Sequence, residues 1–338
     1  MNAQSGARFG APSVLIPGLC ALVVVLFAIS IAIGYAPLDF RRAVTDILAG
    51  RDSIPALVLL QLRLPRAILA VTVGFSLGLT GAAMQGLMRN PLADPGVIGV
   101  SGAAGLGAVL AFYFGLSSTF ALALPLGGFI GAGLSTACLL LLARHGMGTA
   151  SLILAGVAIN SLTGALTALA LNLAPSPYAA LEVVFWLMGS LSDRSLVHVA
   201  LSLPFMVLGW GLILATRRAL DALTLGEDTA SSMGFSMPRL RLLVIGGTAA
   251  AVGASVAVAG AIGFVGLVVP HLMRPLVRHR PGRLLLASAL AGAALTLGAD
   301  IAVRLIPTRP ELKLGVITAI LGAPFFFGVL RHLKVEGE

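Results

Sequence analysis

Apolar runs recur from one end of this chain to the other, at about 13–35, 64–84, 96–115, 119–142, 149–171, 196–216, 241–260, 262–277, 284–305 and 313–331. Runs of roughly 20 residues match a hydrocarbon core roughly 30 Å thick. With no water there, backbone groups must pair within their own segment, so each run is predicted to be helical. The short alternating segments of a membrane barrel are not visible. The pattern therefore predicts an all-α polytopic membrane protein with about ten transmembrane helices, a single transmembrane domain over residues 1–338. Residues 241–277 must supply two crossings from about 55 Å of helix at 1.5 Å per residue. One of them is predicted to be short or irregular, as Pro270 and Pro275 suggest.

Three stretches interrupt the apolar pattern. Residues 36–62 mix Asp39, Asp46 and Asp52 with arginines. Residues 172–195 hold Pro175, Pro177, Tyr178 and Trp186, and predict a short aromatic-bearing helix at a membrane interface. Residues 217–241 interleave Leu220, Leu223, Leu225 and Met233 with Asp221, Glu227 and Asp228. That amphipathic pattern suits a helix lying on the membrane face or docking into a partner's groove, with a solvated loop as the plain alternative.

Composition narrows the class. The chain is 58% hydrophobic and only 10% charged, against about 25% charged in soluble domains. Its net charge of +9 reads as arginine-rich cytoplasmic loops rather than as nucleic-acid binding. With both termini placed in the cytoplasm, thirteen of the 22 lysines and arginines fall inside and nine outside, sharpened by Arg274, Arg278, Arg280 and Arg283. Cys20 and Cys138 lie in separate apolar runs and are expected to be small core residues rather than a disulfide or metal pair.

Candidate chemistry is sparse. Lysine occurs only as Lys313 and Lys334, neither within a phosphate-cradling G-x-x-x-x-G-K-[ST] loop. Any ATP and Mg would therefore sit on another subunit, and no cofactor or metal is expected on this chain. The five histidines, His145 among them, show no metal-ligand spacing. Asp300 is the one acid well inside a predicted span, four residues before Arg304. An i,i+4 ion pair is the simpler reading and a proton relay the sharper one. Glycines spaced at four, as in Gly74–Gly78 and Gly127–Gly131, predict closely packed helices. Arg63, Arg66 and Arg304 lie at the predicted outer ends of spans, against the positive-inside bias. Snorkelling and the docking of a partner's carboxylates explain them equally well. A weak internal match, Gly81-Ala82 and Pro91 against Gly260-Ala261 and Pro270, hints at an inverted repeat.

Several stretches resemble one known family. RLPR at 63–66, MQGLMRNPLADPGVIGVSGAAG at 84–105, LILAGVAIN at 152–160, FWLMGSL at 185–191, LGEDTASSMG at 225–234, AGAIGFVGLVVPHLMR at 259–274 and ELKLGVITAILGAPFF at 311–326 follow in order across nearly the whole chain. They resemble the permeases of type II (FecCD-type) ABC importers for iron chelates, such as ferric siderophores and haem, and for vitamin B12. The resemblance implies ten helices per subunit and a homodimer in a bacterial inner membrane. It also implies two separate ATP-binding subunits, a periplasmic solute-binding protein and alternating access without covalent chemistry. By position, Arg63, Arg66 and Arg304 look like residues that dock the binding protein. Leu223, Leu225, Gly226, Glu227, Met233 and Gly234 fall in the ATPase-coupling helices. Asn90, Leu92, Thr149 and Ala150 fall at cytoplasmic gates, although Ala150 departs from the hydroxylated residues common there. An ion-coupled secondary transporter working without an ATPase is the alternative class.

Overall fold

A computed structural model describes residues 12–34, 38–120, 122–144, 148–174, 176–306, 308 and 310–335. Both termini, and with them Arg8, lie outside the described residues, as do His145 and Arg309.

The described residues form α1 (Pro12–Ala32), α2 (Phe40–Leu48), α3 (Ile54–Leu57), a π-helical turn (Val58–Arg63) and α4 (Leu64–Met88). A 3-10 turn (Pro95–Ile98) leads into α5 (Val100–Tyr113), α6 (Leu116–Thr119), α7 (Ala123–Arg144) and α8 (Thr149–Asn172). Then come α9 (Pro177–Leu187), α10 (Leu196–Ala215), α11 (Arg217–Leu223), α12 (Glu227–Ser232) and α13 (Met237–Ala259). The chain closes with α14 (Val265–Met273), a 3-10 turn (Pro275–Val277), α15 (Pro281–Leu305) and α16 (Leu314–Val335). Seven of these helices are long and apolar enough to cross a membrane. Each of the ten apolar runs read from the sequence corresponds to a helix: α1, α4, α5, α7, α8, α10, α13, α14, α15 and α16.

The short, irregular helix of the 241–277 pair is α14. It has nine residues and contains Pro270, and it is cut from α13 by a non-helical break at 260–264. Gly260 there has φ +72°, and Phe264, which opens α14, has φ +67°. An aromatic residue held in the left-handed region is locally strained, and its ring packs beside Gly322 of α16. The Gly-Ala pairs of the weak repeat take different conformations. Gly81 lies inside α4, whereas Gly260 ends α13.

The bundle is centred on α4, α13 and α15, most of whose residues are buried. A Cβ at Gly78 would collide with the Ser288 backbone, and one at Gly74 with Gly292, so α4 and α15 touch through their backbones. Gly127 and Gly131 of α7 meet Gly107 and Ala103 of α5 in the same way. The four-residue glycine spacing thus marks real contacts. Peripheral helices differ. α1 buries little of itself, and Cys20 and Cys138, expected in the core, are free and exposed. Cys20 lies on α1, which packs little of itself against the other helices, and Cys138 lines an open cavity between α5, α7 and α8.

Candidate functional site

Two ends of the bundle collect the polar chemistry. α4 and α15 run antiparallel, so Arg66 and Asp300 meet at one end, the arginine end. At the other, the loop end, Gly86 lies beside Leu220 and Pro281.

The arginine end is a buried charge cluster. Arg66 Nε donates to Asp300 Oδ1 at 2.9 Å, and Arg66 Nη1 and Nη2 both donate to the Glu311 carboxylate. Arg304 Nη2 lies 2.8 Å from Asp300 Oδ2, an ion pair too bent to count as a hydrogen bond. The i,i+4 pairing of Asp300 and Arg304 is therefore present, with Arg66 as a further partner. Asp300 is almost fully buried, at 1% side-chain exposure. A carboxylate so placed is tolerable only when matched by opposite charge, and two guanidiniums supply that match.

The same arginines close the end of α1. A helix leaves its last carbonyls without intrahelical partners, at the negative end of its dipole. Arg63 Nη1 donates to Ile31 O at 3.0 Å and Ala32 O at 2.6 Å. Arg304 Nη1 donates to Ser30 O at 2.7 Å and Ile33 O at 2.8 Å, and its Nη2 to Ser30 Oγ at 2.6 Å. A Cβ at Gly34 would press on the Arg63 guanidinium, so a small residue leaves room for this cap. Arg63 and Arg304 are each 6% exposed. The three arginines singled out from the sequence are thus brought together, as buried groups with partners in their own chain.

Glu311 joins the cluster from the α15–α16 connection and accepts from Ser192 Oγ at 2.8 Å. Burial raises its pKa, but the hydrogen bonds and charge of Arg66, helped by Ser192 and Arg304, outweigh that and hold the carboxyl below its ordinary value. Two residues after Ser192, Arg194 is pushed below its usual value by burial, which the charge of Asp193 only partly offsets. Neither Ser192 nor Glu311 was a candidate from the sequence. Their link spans 119 residues, which no local pattern reveals.

At the loop end, residues 217–241 form two short helices rather than one. Gly226, at φ +107°, separates α11 from α12, and Gly234, at φ +88°, follows α12. Leu220 and Leu223 are buried in the chain's own core. Asp221 Oδ1 accepts from Gly282 N at 2.7 Å, capping the start of α15 with a carboxylate. Glu227 pairs with Arg241 at 2.8 Å. What remains outward is Leu225, 64% exposed, and Met233, 56% exposed. Leu223, expected alongside them, faces inward instead.

Asn90 is exposed in the connection after α4, and its Oδ1 accepts from Leu92 N at 2.9 Å. Thr149 and Ala150 open α8 at this end, with Ala150 exposed. Between these points the chain folds back into the bundle: Pro95 reaches Gly266 of α14, and Gly156 of α8 packs on Val97 and Ile98. Asp94 is half-buried there; desolvation raises its pKa against a hydrogen bond from Gly96 N–H. The sequence also gave no hint of a relay near this end, where Arg274 Nη2 donates to Gln85 Oε1 at 2.6 Å and Gln85 Nε2 to Leu267 O at 3.2 Å. Among the described residues no group of three or more His, Cys, Asp or Glu could hold a metal ion.

Comparison with known proteins decides the family: the FecCD transport family matches residues 22–332. The chain belongs to the FecCD transport family. This FecCD-family permease is 38% identical to the Fe(3+) dicitrate transport system permease protein FecD of Escherichia coli (strain K12), over 93% of this chain and 95% of that one. It is 40% identical to the vitamin B12 import system permease protein BtuC of Klebsiella pneumoniae, over 82% of this chain and 83% of the other. A solved structure of a metal-chelate type ABC transporter in an inward-facing conformation superposes with a TM-score of 0.82. At 33% identity it covers 95% of this chain and 99% of that one. The FecCD-family chain is a transport permease with the type II ABC importer fold, not an enzyme.

Proposed function

We propose that this chain is the membrane subunit of an ATP-driven importer that moves an iron chelate, or a corrinoid such as vitamin B12, into the cytoplasm. Two copies would form the path between them, and alternating access would move the solute. A separate ATP-binding subunit would hold ATP and Mg and dock at the loop end. A periplasmic binding protein would approach the arginine end of a permease in a bacterial inner membrane, with both termini cytoplasmic.

The observation that carries this reading is the pair of exposed apolar side chains, Leu225 and Met233, on a loop whose other leucines are anchored in the core. An anchored element with an unpartnered apolar tip is suited to pass a partner's motion into the bundle. Gly226 and Gly234 shape that tip, and Glu227 fixes α12 to Arg241. For the arginine end, the support is the gathering of Arg63, Arg66 and Arg304 at one end of the bundle, where Arg66 and Arg304 pair with Asp300 and Arg66 with Glu311; a face built on three guanidiniums suits an acidic partner. Asn90, Leu92, Thr149 and Ala150 share the loop end with the coupling loop, consistent with a gate there. Ion coupling without an ATPase has less support, because Asp300, the deepest acid, is already ion-paired on both oxygens.

The test is reconstitution with the ATP-binding subunit. Vanadate-sensitive uptake is expected. Uptake driven by a proton gradient with no ATPase present would overturn the proposal.

A further inference from the structure

Glu311 is a point at which three distant parts of the chain meet. Its carboxylate holds Arg66 at the start of α4, 245 residues away, and Ser192 in the connection between α9 and α10. That connection, residues 188–195, is anchored at both ends: Leu191 is 1% exposed in the core, Gly315 N donates to Gly189 O at 3.4 Å, and Ser195 forms a capping box with His198. Ser192 N donates to Ser190 Oγ at 3.1 Å, and Ser190 N to Ala259 O at the end of α13 at 2.7 Å. Asp193 within it is in the left-handed region, at φ +59°, which costs more than a regular turn. Arg194 follows with its Nε buried and without a hydrogen-bond partner.

The other side of this connection is the wall of a cavity of about 310 Å³ whose lining includes Phe112, Val183, Trp186, Ser192, Arg194 and Lys313. The bond from Ser192 to Glu311 therefore lies between the charge cluster and the wall of this cavity.

We propose that Glu311 is a latch: through Ser192 it holds residues 192–194 against the arginine end, and letting go of Ser192 opens that wall of the chamber. Arg66 fixes the latch in place. Arg66 keeps Asp300 as a partner whatever Glu311 does, so release leaves no unmatched guanidinium. A segment with strain on one side and one charge-assisted hydrogen bond on the other is poised to open when that bond is lost. The latch goes beyond the import reading and does not need it; on that reading, opening would be one step of the transport cycle.

The experiment uses the full chain in lipid nanodiscs, followed by hydrogen exchange. Ser192→Ala removes only the latch bond, and amide exchange over 188–195 is expected to rise by about tenfold, the scale of one charged hydrogen bond. Exchange in 306–313 and in α13 should not change. Glu311→Ala should raise exchange in both 188–195 and 306–313, while Ser192→Thr, which keeps the hydroxyl, should restore the wild-type value. A second readout places a cysteine at cavity-lining Val183 (Val183→Cys, with Cys20→Ser and Cys138→Ser). Maleimide should label it faster in the Ser192→Ala background. Unchanged exchange over 188–195 in both latch variants would overturn the proposal. So would a uniform rise across the chain, because that signals general destabilisation rather than a local latch.

Discussion

Arg66 and Asp300, on neighbouring antiparallel helices, meet at 2.9 Å where almost no water reaches the carboxylate. That contact changes how the arginine end can be tested. Arg66→Glu, a natural choice for breaking a docking site, would place a third carboxylate beside Asp300 and Glu311 and damage the bundle before any partner arrived. Variants that leave this pair intact are the informative ones.

Asp300→Asn should be costly. It keeps the shape but leaves Arg66 and Arg304 sharing one buried neutral side chain, and breaking a buried pair typically costs about 3–5 kcal/mol. The expected outcome is a clearly lowered melting temperature in detergent. Arg304→Lys should also lose stability, because an ammonium cannot reach Ser30 O, Ile33 O and Asp300 together as the planar fork does.

Backbone contact between α4 and α15 predicts intolerance of bulk. Gly78→Val forces a side chain into the Ser288 backbone, an overpacking expected to cost about 1–3 kcal/mol or more. It should show as polydispersity on size exclusion. Gly133→Ala is the control, since nothing lies within 4 Å of a Cβ there.

At the loop end, Leu225→Asp and Met233→Asp alter exposed positions, so folding should change by no more than about 0.5 kcal/mol. Both should still impair pull-down of the ATP-binding subunit. Leu220→Asp buries a charge beside Gly86 and should abolish expression instead. The contrast between these variants separates a docking surface from a core.

The latch should resist mild acid. Arg66 and Arg304 outweigh burial and hold the Glu311 pKa below its ordinary value. Asp300 and Lys313 lie close by on the same elements. A depressed carboxylate contributes stability above its unfolded pKa and loses it only as pH falls through the folded value. Exchange over 188–195 should therefore be flat between about pH 8 and 5.5 once corrected for intrinsic rates, and should rise only in stronger acid. A rise near neutrality would point to another group.

Much of the fold was legible because the bilayer imposes a simple rule, and α1, α4, α13 and α15 obey it with long apolar runs. Asp300 and Arg304 could be paired from spacing alone, since i and i+4 share a helix face. The short α14 followed from counting residues between 241 and 277. The arginine end was legible in its members but not in its wiring. Arg63 and Arg304 bind main-chain carbonyls of α1, which any sequence would offer, and at 32 and 274 residues' separation no period relates them. The loop at 217–241 misled for a different reason. α11 ends at Leu223 and Gly226 turns the backbone to φ +107°, so one helical period does not run through the loop, and Leu223 is buried while Leu225, past the helix end, is exposed.

The cap on α1 has a consequence for biogenesis. Arg304 is made 274 residues after Ser30, an interval of tens of seconds at about 5–20 residues per second. Through that interval the outgoing strand of synthesis leaves the end of α1 with Arg63 but without its second guanidinium. The first helix of this permease is therefore finished by nearly the last, and a ribosome that stalls before codon 304 leaves behind a chain whose opening segment is still unsealed.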